Sequence, residues 1–460
     1  MKSFDNIKAR ESGLRNALSE GQMSMIAIGG AIGTGLFLGS KLAISFAGPS
    51  VILSYVISGL AALCLMGCLV EMTVQHHTSG SFGAYAEHYM GPAMGFILRY
   101  CYVSGIIMAV GSEVIAIGEY MKFWFPTVEP VIWQILFSAV LIGANLTSVK
   151  AFGSMEWVFS MLKVFVIVAF LIVGAGYLFL SQDTQQIKEH LWANGGFFPQ
   201  GFKGTWFGAV VAVFSYFGLE FIAVAAGEAT APEKSIRKAF KSTMVRLLVF
   251  YLLTLSLIIM MVPWQRLIEK DAPSPFVMVM NDIHLPFADS ILNVVVIVAS
   301  LSAMNGMLYI ASRMLFSLSR SGDAPKSLGK VSVTGVPVNS LLLSVIGIAV
   351  AVIVSRLSPD TAFPIMIALT MFGLLFTWFM IFVTHIFFRR AMARQQIVLK
   401  YKIQGYPVGT VLGMIIVGAI IVSTWFAEDF HATLVFGVPY LLVLTVVYYG
   451  RQYYRSRHRG

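Results

Sequence analysis

Charge is what this chain has least of. Asp, Glu, Lys and Arg make up 12% of its 460 residues, where a soluble domain carries about 25%. Hydrophobic residues make up 57%, which excludes an ordinary soluble protein. Cysteine is almost absent. Cys64, Cys68 and Cys101 all fall in or near apolar runs, and no histidine or acid joins Cys64 and Cys68 at ligand spacing. They are read as small packing residues, and no metal or cofactor is expected. Long polar segments are missing too. The longest loops fall at about 72–93, 181–203, 264–286 and 318–338, too short for a soluble catalytic or signalling domain. No nucleophile–base pair, metal cluster or glycine-rich phosphate loop is present, which argues against an enzyme and against ATP-driven pumping by this chain. Alternating strands of about ten residues, the mark of a membrane barrel, do not occur.

What is present is apolar length. Twelve stretches approach the roughly 20 residues a spanning helix needs: 22–43, 48–70, 94–121, 130–148, 156–180, 204–226, 243–263, 287–317, 339–356, 361–387, 407–426 and 430–450. They are called spans 1 to 12. The fold expected is an all-α polytopic membrane protein in a lipid bilayer. The net charge of +10 is distributed as a topology signal, not as a nucleic-acid surface. With the N-terminus inside, 24 Lys and Arg face inward. Lys41, Lys122, Lys188, Lys203, Arg266, Lys270 and Arg356 are the seven that face outward, and Lys163 lies within a span. The positive-inside rule then sets both termini in the cytoplasm. Residues 1–20 are polar and of mixed charge, unlike a cleavable signal, so span 1 is expected to act as an uncleaved insertion signal.

Two spans carry breaks. "IAIGGAIGTGLFLGS" places Gly29, Gly30, Gly33, Gly35 and Gly39 within eleven residues, and "VFSYFGLEFIAVAAGE" places Gly218 and Glu220 near the middle of span 6. Glycine costs about 1 kcal/mol against alanine in a helix interior, so such clusters predict unwinding. Small-residue packing of the GxxxG kind does not require the adjacent pair Gly29-Gly30. Breaks five spans apart point to two inverted repeats with a site between them: 21–180 for spans 1–5 and 204–387 for spans 6–10. Spans 11 and 12 (407–450) stand outside, between a cytoplasmic segment 1–20 and a tail 451–460. A channel would need a continuous pore or filter, which paired breaks do not favour.

An unwound turn exposes N–H groups on one side and C=O groups on the other, and with the helix dipoles these form an anion site beside a cation site. The α-amino-acid headgroup suits that pair. Gly33, Thr34 and Gly35 would hold the carboxylate. Carbonyls near Ile32 and at Phe214, Ser215 and Phe217 would hold the amine.

"GGAIGTGLFLGS", "SGSFGAYAEHYMGP", "GSEVIAIGEYMKFWFP", "FSYFGLEFIAVAAGEATAPEKSIRKAF" and "SLSAMNGMLYIASRMLFSLSRSGDAPK" occur in this order. The sequence carrying them resembles the bacterial amino-acid permeases of the amino acid–polyamine–organocation superfamily, from about residue 20 to 450. It is most similar to the branch holding the aromatic, phenylalanine, lysine and γ-aminobutyrate permeases. The resemblance implies a LeuT-type fold of five plus five inverted helices and two more, with helices 1 and 6 discontinuous. It implies proton-coupled import of an amino acid across the bacterial inner membrane by a monomer or homodimer. Exchange of one amino acid for another is supported by the same fold. The resemblance also makes Phe214 an aromatic gate and turns Glu113 toward the pocket.

Ionisable groups inside a membrane are costly and usually functional. This reading finds four within spans: Glu113 and Glu119 in span 3, Lys163 in span 5 and Glu220 in span 6. "EWVFSMLKVFVIVAFLIVGAGYLFL" holds Lys163 as its lone charge after Glu156. Its ammonium either snorkels toward the inner interface or bridges carbonyls of span 1 and hydroxyls of span 8, such as Ser300 or Ser302. The resemblance supports the second, since proton-coupled members carry a lysine there, where a sodium-coupled relative would hold its ion. Lys163, Glu220 and Glu113 are the proton-coupling candidates, and Glu113 is also a substrate contact. Glu119 is read as vestibular, and His76 and His77 as loop residues. Phe214, Tyr216, Phe217 and Met108 favour a neutral, hydrophobic or aromatic substrate. A cationic amino acid or γ-aminobutyrate is the alternative.

Overall fold

The computed structural model describes residues 4–181, 184–269, 272–284, 286–358 and 362–457. Lys2, Lys270, Arg459 and residue 361 at the expected start of span 10 lie outside them. Helices dominate. Among the described residues the only β-type contacts are two isolated bridges, Ser12 with Leu14 and Leu18 with Ala229.

Among the described residues eleven helices are long and apolar enough to cross a membrane. Span 1 is not among them because it is in pieces. Glu20–Ala31 opens with a capping box, in which Ser19 Oγ accepts from the Gln22 backbone and the Gln22 side chain accepts from the Ser19 backbone. It stops at Ile32 (ψ 87°), and Gly33 is extended. The chain resumes as Thr34–Phe37 and Gly39–Ala47, with Leu38 between them in helical geometry. Span 6 runs as Gly201–Ala212 and a 3₁₀ turn Val213–Tyr216, then breaks at extended Phe217 and at Gly218, and resumes at Phe221–Ala225. Gly218 has φ +100°, and a Cβ there would lie 2.5 Å from the Gly30 carbonyl oxygen. Only glycine meets both demands, so the two breaks touch backbone to backbone. Span 9 also divides, into Val338–Ser344 and Ile346–Leu357.

Burial separates the bundle into two groups. The apolar windows of spans 3 and 6 are 89% and 94% buried, those of spans 4 and 12 only 22%. The first pair forms the core and the second faces lipid. Span 3, Pro92–Met121, is gripped by glycine contacts. A Cβ on Gly347 of span 9 would lie 1.8 Å from the Ile107 carbonyl oxygen, and one on Gly105 would lie 3.1 Å from the Gly373 Cα of span 10.

Residues 4–18, within the polar segment 1–20, fold against one end of the helix bundle. The backbone amides of Ala17 and Leu18 donate to the Glu228 carbonyl, and Thr230 N–H donates to that of Leu18. Glu11 is buried and accepts hydrogen bonds from Thr78, Gly80 and Ser317, with Arg99 at 3.5 Å. Glu228 pairs with Arg313 at 2.7 Å, both buried. Removing one partner of such a pair strands the other charge, at about 3–5 kcal/mol. Glu228→Gln is therefore expected to lower the unfolding temperature in detergent sharply, and an unchanged melt would show that the pair carries no such weight.

Phe4 stacks on His76, with ring centroids 4.2 Å apart, and meets His88 edge-on. Burial pushes the His76 imidazole down to about 4, with His88, His77 and Lys400 adding to the effect and Asp5 opposing it. Burial lowers His77 and His88 as well. A histidine disfavoured in its charged form supports the folded arrangement above its free value of about 6.5 and withdraws that support as the pH falls through its folded value. Acidifying from about 6.5 towards 4 is thus expected to raise amide exchange over residues 4–11, after correction for intrinsic rate. His76→Phe should flatten that dependence.

Candidate functional site

The two breaks and the faces of spans 3, 5, 7, 8 and 10 that meet them form one polar centre. Lys163 is fully buried. Its ammonium donates to the Gly29 carbonyl at 2.6 Å, the Ile32 carbonyl at 2.8 Å and Ser302 Oγ at 2.9 Å. It bridges span 1 and span 8 and does not snorkel, and its hydroxyl partner is Ser302, not Ser300. Breaking a helix frees carbonyls that need a donor in a place water does not reach. The lysine supplies that donor.

Several expected site residues meet here in altered roles. The Ile32 carbonyl, assigned to a substrate amine, is engaged by Lys163. The Thr34 hydroxyl, assigned to a carboxylate, donates to Glu113 Oε1 at 2.8 Å. Glu113 is buried, and the buried Ser300 hydroxyl of span 8 lies beside its carboxylate. Gly33 faces the same place, since a Cβ on it would lie 3.3 Å from that of Ala303 and 3.5 Å from Glu113 Oε1. Gly35 packs on span 6, where a Cβ would lie 2.9 Å from the Ser215 Cα and 3.1 Å from the Phe214 ring. Phe214 is half-buried and lies edge-on to Phe217 at 5.9 Å, and Phe217 meets Trp378 of span 10 at 5.1 Å.

Ser215 is fixed at both ends. Its hydroxyl contacts Tyr55 at 3.0 Å, and its carbonyl accepts from the Tyr251 hydroxyl at 2.7 Å. Tyr251 Oη also lies 2.7 Å from the Ala31 carbonyl oxygen, so one side chain of span 7 reaches both breaks. Glu220 is anchored from three sides, accepting from Tyr102 of span 3 at 3.0 Å, Trp378 of span 10 at 3.2 Å and the Gly218 amide at 3.2 Å. Glu119 is exposed and paired with Lys122 at 2.8 Å. It lines a cavity of 580 Å³ with Leu38, Lys41, Ser45 and Tyr120 at the end of span 3.

Of the ionisable residues at this centre, Glu156 is the one not expected from the sequence. By hydropathy it is the first residue of span 5, but the helix begins at Val149 and Glu156 is buried. Its Oε1 accepts from Ser302 at 2.5 Å and its Oε2 from the Asn305 side chain at 2.9 Å. The available signal was its spacing. Residues seven apart lie nearly on one helix face at 3.6 per turn, so Glu156 and Lys163 had to point the same way. His76 and His77 lie in the loop that follows Gln75, as expected, and the His76 ring is packed against Phe4. Among the described residues no group of three metal-ligating side chains occurs.

Two helices broken at one level, packed break to break and lined by buried ionisable groups, define a multi-pass membrane carrier. In overall fold the chain is similar to two structures of the manganese transporter of Eremococcus coleocola. One is of a point mutant (TM-score 0.57, 13% identity, 93% of each chain covered). The other is in complex with an aromatic bis-isothiourea substituted compound (TM-score 0.55, 12% identity, covering 95% of this chain and 97% of that one). The family profile for amino acid permeases matches residues 22–459. Relatives named aromatic amino acid transport protein AroP are 38% identical in Escherichia coli O6:H1 and 37% in Escherichia coli K12, each over 436 residues and 95% of both chains. That of Salmonella typhimurium LT2 is 37% identical over 438 residues, again 95% of both. The chain belongs to the amino acid permease family. It is a membrane transporter for an amino acid, not an enzyme, and its fold is of the five-plus-five type with discontinuous spans 1 and 6.

Proposed function

We propose that this permease drives uptake of a neutral, aromatic or hydrophobic amino acid with protons moving inward across the bacterial cytoplasmic membrane. The observation that carries the reading is the Lys163 ammonium, which spans the break of span 1 and grips Ser302 of span 8. A donor is needed there to satisfy two freed carbonyls, and on a lysine that donor also carries a removable proton. With the proton bound, spans 1 and 8 are tied. With it gone, the tie loosens and the repeats 21–180 and 204–387 rock past each other, alternating access to the site. The substrate headgroup sits between Gly33–Gly35 and Phe214–Phe217. Glu113 faces it with a buried carboxylate, either for the amine or for a second proton. Phe214 closes over the substrate, and Glu220 holds the break of span 6. Both termini lie in the cytoplasm. The aromatic substrate is supported by the names of the AroP relatives and by the rings of Phe214, Phe217 and Trp378.

The test is uptake of each labelled amino acid into proteoliposomes under an inward proton gradient, with and without a protonophore. Accumulation of one aromatic amino acid, stopped by the protonophore, is expected. Uptake that requires internal amino acid and ignores the protonophore would make the protein an exchanger and Lys163 a fixed structural cation.

A further inference from the structure

Lys163, Ser302 and Glu156 form a chain of hydrogen bonds pointing one way. The ammonium donates to Ser302 Oγ at 2.9 Å, and the same hydroxyl donates to Glu156 Oε1 at 2.5 Å. From this geometry we propose that Glu156 is the next station of the proton after Lys163, reached through Ser302, and that the proton leaves for the cytoplasm from Glu156. The inference rests on the reading of Lys163 as the proton site.

The step balances. An N–H bond of the ammonium breaks as its proton passes to Ser302 Oγ, and the hydroxyl's own proton passes to Glu156 Oε1. A neutral amine and a carboxylic acid replace an ammonium and a carboxylate, with no change in the number of protons. The acid then gives its proton to water on the inner side.

Three further features fit a release station. Glu156 lies seven residues before Lys163 on a helix that starts at the inner face, so its backbone stands about 10 Å nearer that face at 1.5 Å per residue, while its carboxylate is one hydroxyl away from the ammonium. Its lid is backbone, since a Cβ on Gly29 would come 2.1 Å from Glu156 Oε1 and 2.3 Å from Ser160 Oγ. Withdrawal of Glu20–Ala31, the movement that opens a carrier inward, uncovers the carboxylate and slackens the grip on Lys163 together. The far side of Glu156 is held by Asn305, whose Oδ1 accepts from Asn145 of span 4 at 2.7 Å. These amides orient the acid without competing for the proton. The other charge acting on Lys163 is Glu113 of span 3, which is bonded to Thr34 on the outer side of the break.

The experiment compares proton-driven accumulation with counterflow, in which labelled substrate exchanges for unlabelled at equal pH and no net proton release is required. Glu156→Gln keeps an acceptor for Ser302 but has no titrating oxygen. Its net uptake should fall by about 10²-fold, the lower end of what a positioned proton acceptor contributes, while counterflow persists. Should that variant fail to fold, Ser302→Ala should show the same split, and Ser302→Thr, which restores the hydroxyl, should recover net uptake relative to it. Wild-type accumulation by Glu156→Gln would overturn the relay and leave Lys163 untouched. Loss of counterflow together with net uptake in the folded variant would overturn it too, making Glu156 a fixed counter-charge. Normal accumulation by Lys163→Ala would remove the relay's donor and with it the underlying reading.

Discussion

Lys163→Ala is expected to reduce uphill accumulation to simple equilibration while measurable substrate binding remains. One pH unit is worth about 1.4 kcal/mol per proton, so a coupled carrier concentrates its substrate about tenfold per unit of gradient. Without the titrating amine, the ratio of internal to external substrate should settle at unity at every imposed gradient. The headgroup contacts proposed at Gly33–Gly35 do not involve the lysine, so a substrate-induced shift in melting temperature should survive, weakened. The carbonyls of Gly29 and Ile32 lose their donor, at about 1–3 kcal/mol for each group left unmet, and the resting melt should fall accordingly. Undiminished concentrative uptake in this variant would refute the role of Lys163.

Gly35→Leu should abolish binding outright. The new Cβ would stand 2.9 Å from the Ser215 Cα and 3.1 Å from the Phe214 ring. The first neighbour is backbone and cannot turn aside. Overpacking alone costs about 1–3 kcal/mol, and the leucine branches would fill the space assigned to the carboxylate. No saturable isotherm is expected for aromatic amino acids up to about 1 mM, where binding is worth only about 4 kcal/mol. Gly39 in the same glycine cluster is the control. A Cβ there meets nothing within 4 Å, so Gly39→Ala should bind as the unmodified protein does. A normal isotherm for Gly35→Leu would move the carboxylate site elsewhere.

The parts legible in the sequence were those written in local pattern. Hydropathy located the spans, and glycine density located both breaks to within a few residues. The cost of a lone ammonium in an apolar run led to Lys163, and the family resemblance favoured its partners on spans 1 and 8. What stayed hidden depends on which helices become neighbours. Glu156 was discounted because the apolar run starts after it, and its burial is supplied by Gly29, Ser302 and Asn305 from other helices. The three donors to Glu220 come from separate spans and from its own break. Tyr251 drew no notice because a tyrosine in an apolar helix has no local signature, and its reach to two carbonyls exists only once span 7 lies against both breaks. Residues 4–18 were read as a tail because they lack hydrophobic length. They are held by backbone pairing and buried charge instead.

Gly29 and Gly30 are consecutive, and each looks at a different neighbour, the first at Glu156 and Ser160 of span 5 and the second at Gly218 and Phe221 of span 6. Ordinary helices interlock by side-chain ridges seated in grooves, and such a joint must be prised apart before either member slides. At this level the inner half of span 1 presents no knobs to either flank. It lies in its slot like a shaft in a plain bearing, free to withdraw without unmeshing teeth. Smoothness at that joint, more than looseness in the chain, is what would let a tightly packed bundle cycle.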